Sequence, residues 1–433
     1  MMRLAITFLF LAATVGATEP VRFQRNPAGK EVHVEISTKL QGYFQIIRGG
    51  KPVKLAVSAN NQHRFEQISL KFNEKQVPTQ AVRWYETAES KATIDGESNS
   101  RTLSDKRRQI VVDRTLQQLI CYSLEGPLTQ QDLEMVAEHY DTLPIVGLLP
   151  EKPVALNDTW KIDPGVVQSL CLFDALTEQD LQATFKSQTD TTATIAVSGT
   201  AKGIERGALA TLTITAAVTY DKSTEQISAI QWQQRDVRQA GPMTPAANLE
   251  SETNVVVKPQ AATHVPAGIA SKIPAVDRLP QAMASLFVRE PAQRYELMHH
   301  REWQMIAANQ YTMIMRLMQR GDFIAQLSIT YWKKLEAGKN LGADQFVKEI
   351  SSLPGWEMLS ITERGEIPNE EKRWTYRVVA TGKLNGQPVT QHFYCVAAPN
   401  GQHVLLTFTG TADNMVRLST RDLEIVNSLV INK

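Results

Sequence analysis

The stretch "TLTITAAVTY" at 211–220 puts Leu212, Ile214, Ala216 and Val218 on one side of an extended chain. Alternate residues of a strand face opposite ways, so such a run fits an antiparallel sheet with one packed face and one wet face. The pattern recurs. "ATFKS", "TATIAVSG" and "QISAIQWQQRDV" surround it, separated by Asp, Gly, Lys and Ser turns. Near the start, "EVHVEIS" at 31–37 aligns Val32, Val34 and Ile36, and "YFQII" at 43–47 and "ISLKF" at 68–72 continue the series. "RGGK" at 48–51 reads as a turn between them, and "AVRWYETA" at 81–88, "RRQIVVDR" and "QLICYSL" as further strands. A chain built this way must pair its strands into antiparallel sheet.

The period changes in a few places. Thr129 and Asp132 form a capping-box pattern, with Leu133, Val136 and Tyr140 following at helical spacing, which predicts a short helix over 130–140. "GADQFVKEISSLPGW" at 342–356 places Phe346, Val347, Ile350 and Leu353 at helical spacing, and Ser419 with Asp422 predicts a second capping box before "LEIVNSLVI". Between them, "RYELMHHREWQMI", "YTMIMRLMQRGDFIAQLSITYW" with a Gly321-Asp322 turn, "WEMLSI", "RWTYRVVATG" and "HFYCVAAPNGQHVLLTFTG" read as strands. In the last of these, Asn400-Gly401 predicts a hairpin turn with both residues at positive φ. Val404, Leu406 and Phe408 then share one face, with Leu405 on the other.

A length of 433 residues exceeds the usual size of one hydrophobic core, so two or three domains are expected. With 42% hydrophobic and 21% charged residues, the composition is that of a globular chain. A net charge of +1 gives no bulk attraction to nucleic acid. The run Asp105-Lys106-Arg107-Arg108 is too short to change that and reads as a solvated strand entry.

Arg3, the apolar run Leu4 to Val15 and the small residues "VGA" at 15–17 have the layout of an export signal, with cleavage expected after Ala17. No other segment is long and apolar enough to span a bilayer. A periplasmic or secreted chain follows. Cys121, Cys171 and Cys395 are odd in number and lie in apolar runs. Burial as free thiols is expected, with a Cys121–Cys171 bridge as the alternative.

The residues that tempt a chemical reading are few. Glu296, His299 and His300 in "ELMHHREW" are potential metal ligands, but adjacent histidines on a strand point to opposite faces. Glu296 and His300 would share a face about 13 Å apart. Cys395, between His392 and His403 in sequence, sits in an apolar strand that argues for a neutral thiol. No G-x-S-x-G, P-loop or G-x-G-x-x-G occurs, and "KGIERG" at 202–207 is too sparse for phosphate. Trp303, Trp332, Trp356 and Trp374 read as core fillers, with an exposed aromatic face as the alternative. No catalytic, cofactor-binding or metal residue is therefore assigned.

Two resemblances bear on these readings. "LLPEKPVALNDTW" and "TLTITAAVTYDKSTEQISAIQWQQRDVRQAGPMTP" resemble elements of uncharacterised exported proteins of planctomycete-type bacteria, with Asn157 where a turn glycine is usual. Asparagine tolerates the left-handed conformation, so the turn can survive. "YELMHHREWQMI", "LMQRGDFIAQLSI", the 392–410 hairpin and "RDLEIVNSLVI" resemble the PsbP/DcrB-like family over about 150 residues. That likeness implies an antiparallel sheet flanked by helices and a role in binding other macromolecules without known catalysis.

The expectation is thus an α+β chain: a signal at 1–17, a β-rich domain with a short helix at 25–255, a linker at 256–279 and an α/β sandwich at 280–433. It is expected to bind an envelope protein, a lipid or another apolar ligand, without cofactor or nucleic acid. The alternative is a hydrolase whose site assembles only in the fold.

Overall fold

The computed structural model describes residues 20–25, 31–115, 119–137, 140–241, 244–260, 263–319, 322–368 and 373–432. The export-signal reading and Gly321 of the expected Gly321-Asp322 turn lie outside these residues.

The long alternating runs pair into one sheet of thirteen strands. Its order starts at Leu119–Ser123, Gln109–Arg114, Pro78–Ile94, Lys51–Phe72 and Glu31–Arg48. It continues through Ala246–Pro259, Gln226–Arg238, Ala208–Asp221, Thr192–Glu205, Gln182–Gln188 and Thr159–Lys161. Glu97–Thr102 and Ala175–Gln179 pair to the side of this path. The closing contact joins the first strand to the last, with Val32 opposite Pro259 and Gln45 opposite Ala246. The strands from Glu31–Arg48 to Leu119–Ser123 and those from Thr159–Lys161 to Ala246–Pro259 therefore form one continuous sheet. Gly42 stands near the end of that contact, where a side chain would collide with the carbonyl of Asn248.

The apolar face is covered by the chain's own residues 128–137 and 140–173. Met135, Leu143, Leu148, Val167 and Leu170 pack with Val34, Phe65, Ile195, Ile214 and Trp232 in a single core. The capping box at Thr129 and Asp132 forms as expected: the Asp132 amide donates to Thr129 Oγ1 at 3.0 Å, and the Thr129 amide donates to Asp132 Oδ2 at 3.1 Å. Asn157 takes the left-handed conformation, φ 71°, that its turn requires. On the opposite face of the sheet, Val265 and Ile269 pack over Val82, Val111 and Tyr122. His264 is fixed beside them by stacking on Trp84 at 4.0 Å and by a 2.8 Å contact with Glu66.

The C-terminal part holds a seven-stranded sheet running from Trp303–Ala308 at one edge to Trp356–Glu366 at the other. A four-stranded sheet links the two regions, because Leu128–Thr129 pairs with Ser285–Arg289. Arg301 closes the same junction by donating to the carbonyls of Cys121 (2.6 Å), Met283 (2.9 Å) and Ala284 (2.9 Å).

Strand accounts for 58% and helix for 15%, so the fold class is mostly β. The α+β class, with an α/β sandwich flanked by helices, is corrected on this point. Among the described residues the α-helices run for only four to nine residues. Nine residues of helix extend about 13 Å, whereas an eleven-residue strand extends about 36 Å. Helices this short contribute single anchors, Phe346 and Ile350 on one face and Leu418, Ile425 and Val426 on the other, rather than layers. Among the described residues no helix is long and apolar enough to cross a membrane, which says nothing of strands.

The hairpin at 387–410 is built as two neighbouring strands, with Val404, Leu406 and Phe408 in one cluster and Leu405 in another. Its turn departs from the expectation. Only Gly401 takes positive φ, 83°, while Asn400 uses its side chain to accept from the Gln402 amide at 3.1 Å.

Candidate functional site

The alternation that buries Leu212 and Ile214 must expose their neighbours Thr213 and Thr215. Register extends this to five strands. One row across the sheet reads Asn60, Lys39, Glu252, Gln233, Thr215. The next reads Ser58, Gln41, Glu250, Arg235, Thr213. Strands lie about 4.8 Å apart, so each row is about 19 Å long. Both rows line a groove of about 650 Å³. The sheet ladder holds every Cα of this surface in place, while the side chains remain at the solvent.

Charge in the groove is balanced: Lys39 stands opposite Glu252, and Arg235 opposite Glu250. Glu252 accepts from Asn254 at 3.2 Å. The rows also bring amides, hydroxyls, carboxylates and cationic groups together, so donors and acceptors alternate at strand spacing. This arrangement suits recognition by many hydrogen bonds over a broad contact. None of its residues stood out in the sequence. Each is an ordinary outward-facing polar residue, and only the pairing of residue 41 with residue 250 makes them a surface.

A second polar group lies in the C-terminal region. His392 Nδ1 is 2.8 Å from Asp422 Oδ2, and Tyr394 donates to the same oxygen at 2.7 Å. Burial pushes the Asp422 carboxyl upward, but the hydrogen bonds from His392 and Tyr394 and the nearby imidazole hold it below its ordinary value overall. Arg377 stands between this group and Glu363, donating to Glu363 at 2.8 Å. Asp422 is the residue expected to close a capping box with Ser419. Ser419 instead adopts φ 53°, and the Asp422 side chain turns to His392 and Tyr394. An imidazole oriented by a carboxylate is part of a hydrolytic triad. The hydroxyl of this group is bonded to the carboxylate, and no hydroxyl or thiol is hydrogen-bonded to His392 among the described residues.

The residues singled out in the sequence do not meet at one site. His299 is buried, donating from Nδ1 to the His300 carbonyl at 3.0 Å, and burial lowers its pKa to about 4. His300 lies exposed beside Glu302, and Glu296 pairs with Arg289. Among the described residues no group of three or more His, Cys, Asp and Glu side chains is placed to hold a metal. Cys121, Cys171 and Cys395 are free and buried. Burial raises their thiols to about 11, 12 and 12, so all three are neutral at physiological pH. Trp303 and Trp356 are buried against Phe408 and Phe393, while Trp332 and Trp374 are half-buried.

No family model and no curated protein matches the chain. Among solved structures, PsbP of the cyanobacterium Synechocystis is 13% identical, with 35% of this chain and 94% of that one covered at a TM-score of 0.27. The Ran-binding protein Mog1p of Saccharomyces cerevisiae is 9% identical, with 34% and 95% covered at a TM-score of 0.27. A lipovitellin is 11% identical, with 59% and 29% covered at a TM-score of 0.30. Structures of the PsbP and Mog1p kind thus match about a third of the chain, at scores that carry no weight for function.

Proposed function

We propose that this chain is a non-catalytic exported protein that binds a polar partner in the five-strand groove. The observation that carries the reading is the pair of five-residue rows, ten side chains presented on one rigid face and not used to build the core. A carrier of apolar ligands is less well supported, because residues 128–137 and 140–173 occupy the apolar face of the same sheet. The hydrolase alternative draws on the His392–Asp422 contact alone.

The mass of the protein isolated natively from the envelope of the cells that make it tests this reading. The parent is expected to carry a bound partner, and a Thr215→Trp/Gln233→Trp variant to lose it because the indoles fill the groove. Both positions face solvent on strand interiors, so the variant keeps its fold. A bare parent, or a partner that survives in the variant, overturns the proposal.

A further inference from the structure

The hairpin that contributes Lys39, Gln41, Ser58 and Asn60 to the groove does not end there. Strand Glu31–Arg48 loses its neighbour Ala246–Pro259 after Gln45, and strand Lys51–Phe72 meets Pro78–Ile94 only from Val57 onward. Residues 46–53 therefore pair with one another alone, Ile46 with Val53, Ile47 with Pro52 and Arg48 with Lys51. The turn is made by Gly49 and Gly50, both at positive φ, 58° and 76°, as a tight two-residue hairpin requires. This tip projects past the edge of the sheet.

Its side chains are unsuited to water. The apolar row that is covered lower down, where Leu40 and Phe44 pack with Val57, Ala247 and Leu249, runs on through Leu55, Ile46 and Val53, which are only half-buried. On the other side Ile47 is 70% exposed. Around these lie Arg48, Lys51 and Lys54, and no Asp or Glu occurs between Glu35 and Glu66. In a chain of net charge +1, this is a concentration of one sign along the hairpin, bounded at its base by Asp95, whose amide donates to the Ala56 carbonyl at 2.8 Å. Lys54 lies over the Tyr43 ring at 4.0 Å, so the collar is backed by an aromatic group.

We infer that this tip inserts into the surface of a membrane rich in anionic lipid. Ile46, Ile47, Pro52 and Val53 enter the boundary between headgroups and acyl chains, and Arg48, Lys51 and Lys54 meet the lipid phosphates around them. The charge selects the occupant: a neutral apolar partner would leave three cations unpaired, whereas an anionic headgroup layer meets them while the layer beneath takes the apolar side chains. The inference does not depend on the groove having a ligand.

An environment-sensitive dye on Ile47→Cys tests it in the full chain, since the three native cysteines are buried and resist labelling. Vesicles of equal phosphatidylglycerol and phosphatidylcholine are expected to shift the dye to the blue, and phosphatidylcholine alone to leave it unchanged. Adding Arg48→Glu and Lys51→Glu is expected to weaken the response about thirtyfold or more, given the attraction of each cation to an anionic surface. These residues pack only within the tip, so thermal unfolding of the variants matches the parent. A dye that reports water on anionic vesicles, or an equal response after charge reversal, overturns the inference. The first of those outcomes would leave the tip to a protein partner instead.

Discussion

Replacing Asp141 with alanine is expected to destabilise the protein by about 4 kcal/mol, the cost of stranding buried charge. The Asp141 side chain is fully buried between two arginines, 3.5 Å from Arg83 and 2.5 Å from Arg114. It also accepts from the Leu143 amide at 3.0 Å. Arg83 is equally buried, held by Gln67 at 2.9 Å and Thr142 at 2.9 Å. This group ties the segment that covers the apolar face to the strands beneath it. Removing the carboxylate leaves two guanidinium groups side by side in the core. An Arg83→Met/Arg114→Met/Asp141→Leu triple variant is expected to recover a large part of the loss, because an apolar replacement of the whole buried charge group is often as stable as the group itself. Urea unfolding followed by tryptophan fluorescence reads both. A loss below about 1 kcal/mol for Asp141→Ala would mean that water reaches the group.

Acid is expected to act through His299. Burial depresses its folded pKa to about 4, whereas an unfolded histidine titrates near 6.5. Above 6.5 neither state binds the proton, and the stability is fully present. Between 6.5 and 4 only the unfolded state binds it, so stability falls as pH drops, by about 1.4 kcal/mol per unit and about 3 kcal/mol in all. Other groups lose stability in acid too, Asp422 among them, so the informative quantity is the difference between parent and His299→Leu. That difference is expected to change by about 3 kcal/mol between pH 7 and pH 4 in favour of the variant. Parallel pH profiles would show that His299 is protonated within the fold.

Local features were readable in advance. Alternation placed Leu212, Ile214 and Val218 in the core, and the Thr129–Asp132 box closed as its spacing implies. Features set by distant residues were not. Ser419 and Asp422 have the same spacing as Thr129 and Asp132, yet Asp422 is drawn away by His392 and Tyr394, which lie 30 and 28 residues earlier in the chain. Helical spacing at 342–356 is real, but it cannot say that the helix stops after nine residues and covers only a small part of its sheet. The groove depends on the pairing of Glu31–Arg48 with Ala246–Pro259, a register that no short stretch encodes. Arg83 and Asp141 meet only because residues 140–173 fold back over the sheet, so their pairing was equally out of sight.

The groove is the centre of this account, and a photo-crosslinking residue at Gln233 tests it most directly. Irradiated in the cells that make the protein, that residue is expected to capture one defined partner. The same group at Asp190, exposed in the turn between Gln182–Gln188 and Thr192–Glu205, is expected to capture none. No adduct at Gln233, or the same adduct from both positions, would contradict the assignment of the groove as the binding site.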